Sequence, residues 1–123
     1  MDRKKMGDKH EEFLAEALHG RQTRGSGNQW RDQMDGRNNR YEGMFSWAWD
    51  GKSTLAKSIS ITRDMWKKAK EQASGDRPLV ALRFYDDERL VGFEDLVVIS
   101  MDDFRELIDL MAAVEAACED EPS

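Results

Sequence analysis

The sequence predicts an α/β fold in which a small mixed sheet is flanked by helices. Three observations carry that expectation. Helical apolar spacing recurs near the beginning, middle and end of the chain. An alternating run, Phe45-Ser46-Trp47-Ala48-Trp49-Asp50, has the period of a half-buried strand. Leu79-Val80-Ala81-Leu82-Arg83-Phe84-Tyr85 is nearly continuous in apolar character, as expected of a strand covered on both faces.

Residues 4–19 read as the first helix, with Phe13, Leu14, Ala17 and Leu18 as its apolar stripe and Gly20 as its stop. Residues 21–43 keep no period and are rich in Gly, Asn, Gln and Arg. A polar connection of that length in a small domain is either functional or disordered. Strands are expected over 45–50 and 58–61. Thr62 or Ser60 caps a helix over 63–73, with Met65, Trp66, Ala69 and Ala73 on one face. Ser74-Gly75-Asp76-Arg77-Pro78 is a turn, 79–85 a strand, 86–89 a loop and 93–99 the last strand. Ser100, with Asp103 three residues on, caps a final helix whose inner face is Phe104, Leu107, Ile108, Met111 and Val114. One domain spans 1–123, with its core over about 5–115 and a frayed acidic end.

The net charge of -6 argues against nucleic acid until its distribution is considered. Residues 1–77 hold 16 Lys/Arg against 12 Asp/Glu, whereas 78–123 hold 3 against 13. Such asymmetry is expected of a nucleic-acid face with an acidic back. The alternative is a solvated acidic helix on an ordinary soluble domain. No apolar stretch approaches the roughly 20 residues that span a bilayer, so no membrane role is expected. A single cysteine, Cys118, fits a reducing cytoplasm. With only His10 and His19 beside it, a Cys/His zinc site is excluded. Both histidines are expected at the surface. The chain lacks a G-x-x-x-x-G-K-[ST] run, so no nucleotide cofactor is expected.

The chemistry-bearing residues are Asp35 and, fifteen positions on, Asp50-Gly51-Lys52. On a strand Asp50 and Lys52 emerge on one side, with Trp47 and Trp49 on the other as core. Two carboxylates holding a divalent cation beside an ammonium suit phosphodiester hydrolysis, and all-oxygen ligation favours Mg²⁺ or Mn²⁺ over zinc. That reading requires Asp35 within about 8 Å of Asp50, given oxygen–metal distances near 2 Å. Read alone, Asp35-Gly36 and Asp50-Gly51 are equally signatures of turns. Arg21, Arg24, Arg31 and Arg37, with Lys57, are candidates for phosphate contact. Gly25 and Gly27 let backbone approach a phosphate closely, and Trp30 is placed to stack on an unpaired base.

Gly7-x-x-x-Glu11, Arg24-Gly25-Ser26-Gly27, Asp35, Asp50-Gly51-Lys52 and Pro78-x-x-Ala81-x-x-Phe84 follow one another in an order that resembles the PD-(D/E)XK nuclease superfamily. Within it, the chain is most similar to small archaeal and phage Holliday-junction resolvases. The resemblance covers about residues 5–110 and implies a restriction-endonuclease-like core. It implies metal ligation by Asp35, Asp50 and the Gly51 carbonyl, a catalytic Lys52, and a supporting Glu11. It further implies Ser26 near the scissile phosphate, branched or duplex DNA as substrate, and a homodimer. The final helix or the apolar strands are the candidate dimer surfaces. The chain departs from the pattern at Met34, where the family often has proline. Asp50 in place of glutamate shortens the ligand arm by one methylene. Another nuclease of the superfamily, or a DNA-binding phage accessory protein without catalysis, fits the same motifs.

Overall fold

The computed structural model describes residues 3–23, 34–38 and 46–119. Their order is α1 (Arg3–Ala17), β1 (Arg21–Gln22), β2 (Gly36–Arg37), β3 (Trp47–Thr54), α2 (Arg63–Ala73), β4 (Arg77–Tyr85), β5 (Phe93–Val98) and α3 (Met101–Glu119). The five strands form one sheet in sequence order. Only β3 and β4 pair in parallel; the other neighbours are antiparallel. The fold class expected from the sequence is therefore the one observed.

Parallel β3 and β4 need a crossover, and α2 supplies it. Thr62 accepts a hydrogen bond from the Met65 N–H at 3.1 Å, starting α2 where its capping chemistry predicts. Ser74 ends it in the left-handed region at φ 51°. Residues 58–61 are not a strand. β3 and β4 are direct neighbours, so that segment belongs to the crossover and packs Ile59 and Ile61 under α2 instead.

Alternation along the sheet sends one set of side chains to each helix. Trp49, Leu79 and Ala81 face α1 and enclose Leu14. Ala48, Val80 and Leu82 face α2, meeting Ala69 and Ala73. The buried stripe of α1 is Met6, His10 and Leu14, spaced by four, rather than the expected one beginning at Phe13. Phe13 is turned partly outward and lies over the Arg83 guanidinium, 4.6 Å from the ring centroid. Arg83 itself is buried in β4, doubly hydrogen-bonded to Asp95 at 2.7 and 2.8 Å. That pairing is what lets a charge sit inside an otherwise apolar strand.

β1 and β2 both lie within the polar connection and are two residues each, too short to show a period. Their register depends on Trp49, whose indole is fully buried. A Cβ on Gly36 would fall inside that ring, and one on Gly20 would meet both the ring and the Arg37 carbonyl. Asp35-Gly36 is thus the entry to a strand and not a turn. Asp50-Gly51 is likewise internal to β3.

The final helix departs most from expectation. Ser100 caps it, accepting from the Asp103 N–H at 3.1 Å, but no α3 residue is buried. Arg77 ties its first turn through Asp103 at 2.9 Å and through Glu106. Beyond that turn, Leu107 is half-buried and the other side chains expected to face inward, Ile108, Met111 and Val114, are exposed. Among the described residues no helix is long and apolar enough to cross a membrane.

Gly36→Ala should destabilise the fold by about 2 kcal/mol, the usual range for forcing atoms into a filled core. Urea unfolding followed by tryptophan fluorescence measures it, and an unchanged midpoint would refute the Trp49–Gly36 contact as the anchor of β2.

Candidate active site

The β2–β3 ladder pairs Gly36 with Trp49 and Arg37 with Ala48. One residue further, the same register sets Asp35 opposite Asp50, with both side chains on the α2 side of the sheet. Backbone bonds hold this end of the ladder: the Asp35 N–H donates to the Trp49 carbonyl at 2.9 Å, and the Thr23 N–H donates to the Asp35 carbonyl at 2.8 Å. The Gly51 N–H donates to Asp35 Oδ2 at 2.7 Å and fixes the carboxyl's orientation. Gly51 thus meets Asp35 with its amide.

Residues facing one another across such a ladder have Cβ atoms about 4.5–5.5 Å apart, so the Asp35 and Asp50 carboxyls stand within the required distance, near enough for the Asp50 charge to act on Asp35. Lys52, two residues along β3, places Nζ 3.0 Å from Asp50 Oδ2. Glu11 lies close enough on α1 to be felt electrostatically by Asp35. Burial pushes the Asp35 carboxyl up to about 7; the charges of Asp50 and Glu11 add to this, against the opposing Gly51 hydrogen bond. Glu11 is also raised, by burial first and then by Asp8 and Asp50. Like charges facing across a ladder repel, and one proton relieves them at neutral pH.

The site opens into a cleft of about 540 Å³ lined by Asp50, Lys52, Asp64, Met65, Lys68 and Gln72. The α2 wall, with Asp64 and Gln72, had no motif to mark it. Its only sequence signal is the run of polar positions on the flank of α2 nearest β3. Among the described residues, no three His, Cys, Asp or Glu side chains form a group able to hold a metal ion.

Other site residues fall elsewhere. Arg37 is not a phosphate contact. It is buried, its guanidinium donating to the Ala73 and Gln72 carbonyls at 2.7 Å each and to Asp76 at 2.8 Å, so it closes the end of α2 onto the sheet. Arg21 is exposed on β1, and Lys57 is exposed after β3. Arg24, Gly25, Ser26, Gly27, Trp30 and Arg31 lie outside the described residues. His10 is buried rather than superficial, one turn before Leu14, against Gly51. Burial and then the Arg83 charge lower its pKa to about 4, leaving it neutral at pH 7. Trp47 and Trp49 face away from Asp50, as core residues should.

Comparison with protein-family models, curated proteins and solved structures finds no match. The motifs and the geometry above therefore carry any functional reading.

A carboxyl raised from 3.8 to about 7 favours the folded state when protonated, so its contribution is full below about pH 4 and is lost as pH rises through 7. Asp35→Asn keeps the acceptor for Gly51 and removes the charge. It should raise the melting temperature by several degrees at pH 8, the gain fading to nothing near pH 4. Equal melting temperatures at pH 8 would show that Asp35 carries no such burden.

Proposed function

We propose that this protein is a Mg²⁺-dependent, structure-selective DNA endonuclease of the Holliday-junction-resolvase type. The observation that carries the reading is the placement of Asp35 across the β2–β3 ladder from Asp50, with the Lys52 ammonium beside them at the edge of an open cleft. Two carboxyls facing one another across a ladder with a single ammonium beside them suit a divalent cation, and their oxygens are hard donors of the kind Mg²⁺ and Mn²⁺ take. Asp35 and Asp50 would hold it, with Glu11 nearest to join them. When bound, such an ion activates water and neutralises phosphate charge.

The remaining steps belong to side chains. The Gly51 amide keeps Asp35 aimed at Asp50. Lys52 stands where negative charge develops on the phosphate and stabilises it. Lys68, on the facing wall, draws the phosphodiester into the cleft by charge without reading sequence. The order of elements supports the reading further: helical Glu11, then Asp35, then the Asp50–Lys52 strand, a crossover helix and the Pro78 strand follow as the resemblance implies.

A second reading, a DNA-binding protein of the same fold without hydrolysis, is favoured by one observation. The Lys52 ammonium already satisfies Asp50, taking the place of a cation. Incubating the protein with labelled four-way and linear DNA, with and without Mg²⁺, separates the two. The endonuclease cuts the junction in preference to the linear duplex, and only with the ion. Asp35→Asn and Lys52→Ala should each reduce cleavage by at least about 100-fold while leaving junction binding intact. Full activity in either variant would remove the assigned chemistry, and binding without cleavage in the wild type would favour the second reading.

Lys68→Ala should weaken junction binding and lower its dependence on salt, by about one unit of slope if a single phosphate contact is lost. An unchanged slope would place the phosphate elsewhere.

A further inference from the structure

β5 is the last strand of the sheet and, among the described residues, pairs on one side only, with β4. Every residue from Phe93 to Val97 is exposed, because α1 lies chiefly over β3 and α2 over β3 and β4. We propose that the free edge of β5 takes up an extended, cationic segment of another protein as an added strand. This pairing does not rest on the nuclease reading.

The backbone is set for it. The Asp86 N–H donates to the Gly92 carbonyl at 2.9 Å, which makes those two residues a hydrogen-bonded pair continuing the β4–β5 ladder. Such pairs alternate along an antiparallel ladder, so Phe84–Glu94, Leu82–Leu96 and Val80–Val98 are hydrogen-bonded as well. Phe93, Asp95 and Val97 therefore turn their N–H and C=O groups outward, where no described strand meets them. An unpaired row of this kind is a template for a further strand, and is ordinarily blunted by lysine, proline or a bulge. β5 contains neither residue, and its register with β4 runs without a bulge. Its apolar side chains stay in water on both faces: Phe93 and Val97 on one, 43% and 56% exposed, and Leu96 on the other, 47% exposed.

The charges choose the occupant. Residues 86–103 hold 7 Asp/Glu against Arg89 alone. Arg83 already neutralises Asp95 and Arg89 neutralises Asp87, which leaves Glu94 as the acid at the edge. Leu96 follows Glu94 on the same face. A neighbouring strand with a cation beside Glu94 and an apolar residue beside Leu96 satisfies both, since opposite charges and apolar pairs stabilise adjacent strands. Strand addition of this kind takes its affinity from main-chain hydrogen bonds and its specificity from alternate side chains. A second copy of this chain brings the same acidic edge and is opposed by it, as charged edges generally keep like strands apart.

A blocked synthetic peptide in which lysine and valine alternate serves as the probe, with its glutamate–valine counterpart as the control. The lysine peptide should bind the full chain at least about ten-fold more tightly than the control. On its binding, the amides of Phe93, Asp95 and Val97 should exchange with deuterium at least about ten-fold more slowly. Those of Glu94 and Leu96, already bonded to β4, should change far less. Val97→Pro removes an outward donor without touching the β4 ladder and should abolish binding. Glu94→Lys should weaken the lysine peptide at least about ten-fold. The near-ultraviolet signal of buried Trp49 should persist in both variants and report an intact sheet. Equal binding of the two peptides, no binding, or binding that leaves the outward amides exchanging freely would overturn the proposal. So would a wild-type mass of two chains that Val97→Pro returns to one, which would give the edge to a second copy.

Discussion

The contact between the Trp49 indole and the bare backbone of Gly36 governs the geometry of the candidate site. It admits β2 to the sheet in one register. A slip of one residue would move every side chain of β2 to the other face and take Asp35 away from Asp50. Two residues of ladder would be a weak anchor alone. The aromatic ring, fully buried against Leu14, Leu79 and Ala81, gives that short strand the packing of a core element. Its indole N–H has no hydrogen-bond partner among the described residues, a desolvation of about 1–3 kcal/mol accepted for the sake of the packing.

Against that fixed frame the carboxyl pair acts as a destabilising feature. Asp35 is half-buried, faces another carboxyl, and keeps one amide hydrogen bond as compensation. Groups arranged so that ionisation opposes folding concentrate where chemistry is done, because the environment that shifts their protonation also sharpens their electrostatics. His10 beneath Gly51 shows the contrasting case. It is more deeply buried, but neutral, and it fills space between α1 and the strand rather than serving the cleft. Gly51 permits this approach, since a Cβ there would lie 3.1 Å from Leu14 and 3.4 Å from His10.

What the sequence made legible follows from physical scale. α2 and β4 carry long, consistent signals, and the Thr62 and Ser100 caps depend on chemistry within three residues. The relation of Asp50 to Lys52 was legible for the same reason, because the alternation of a strand is local. β1 and β2 were not, since a strand of two residues is specified by what packs over it. The exposed face of α3 was misread because spacing reveals an apolar stripe without revealing what covers it. Buried His10, Arg37 and Arg83 escaped for the converse reason. Each is polar in sequence; the two arginines are made tolerable inside by partners from distant segments, and His10 by remaining neutral.

Those partners also revise the charge argument. The basic first part of the chain looked like a reservoir of cations for phosphate, yet Arg37 is consumed by Asp76 and two carbonyls, and Arg77 by Asp103 and Glu106. In the second part, Arg83 is consumed by Asp95. Arginine suits such roles because its planar fork satisfies several acceptors at once and is less strongly hydrated than an ammonium. Lysines remain at the cleft, with Lys52 on the floor and Lys68 on the wall. A compact ammonium on a flexible stem can follow a phosphate into the cleft without demanding one geometry. The division of labour is thus chemical: arginines tie helices and strands to one another, and lysines present charge to whatever enters beside Asp35 and Asp50.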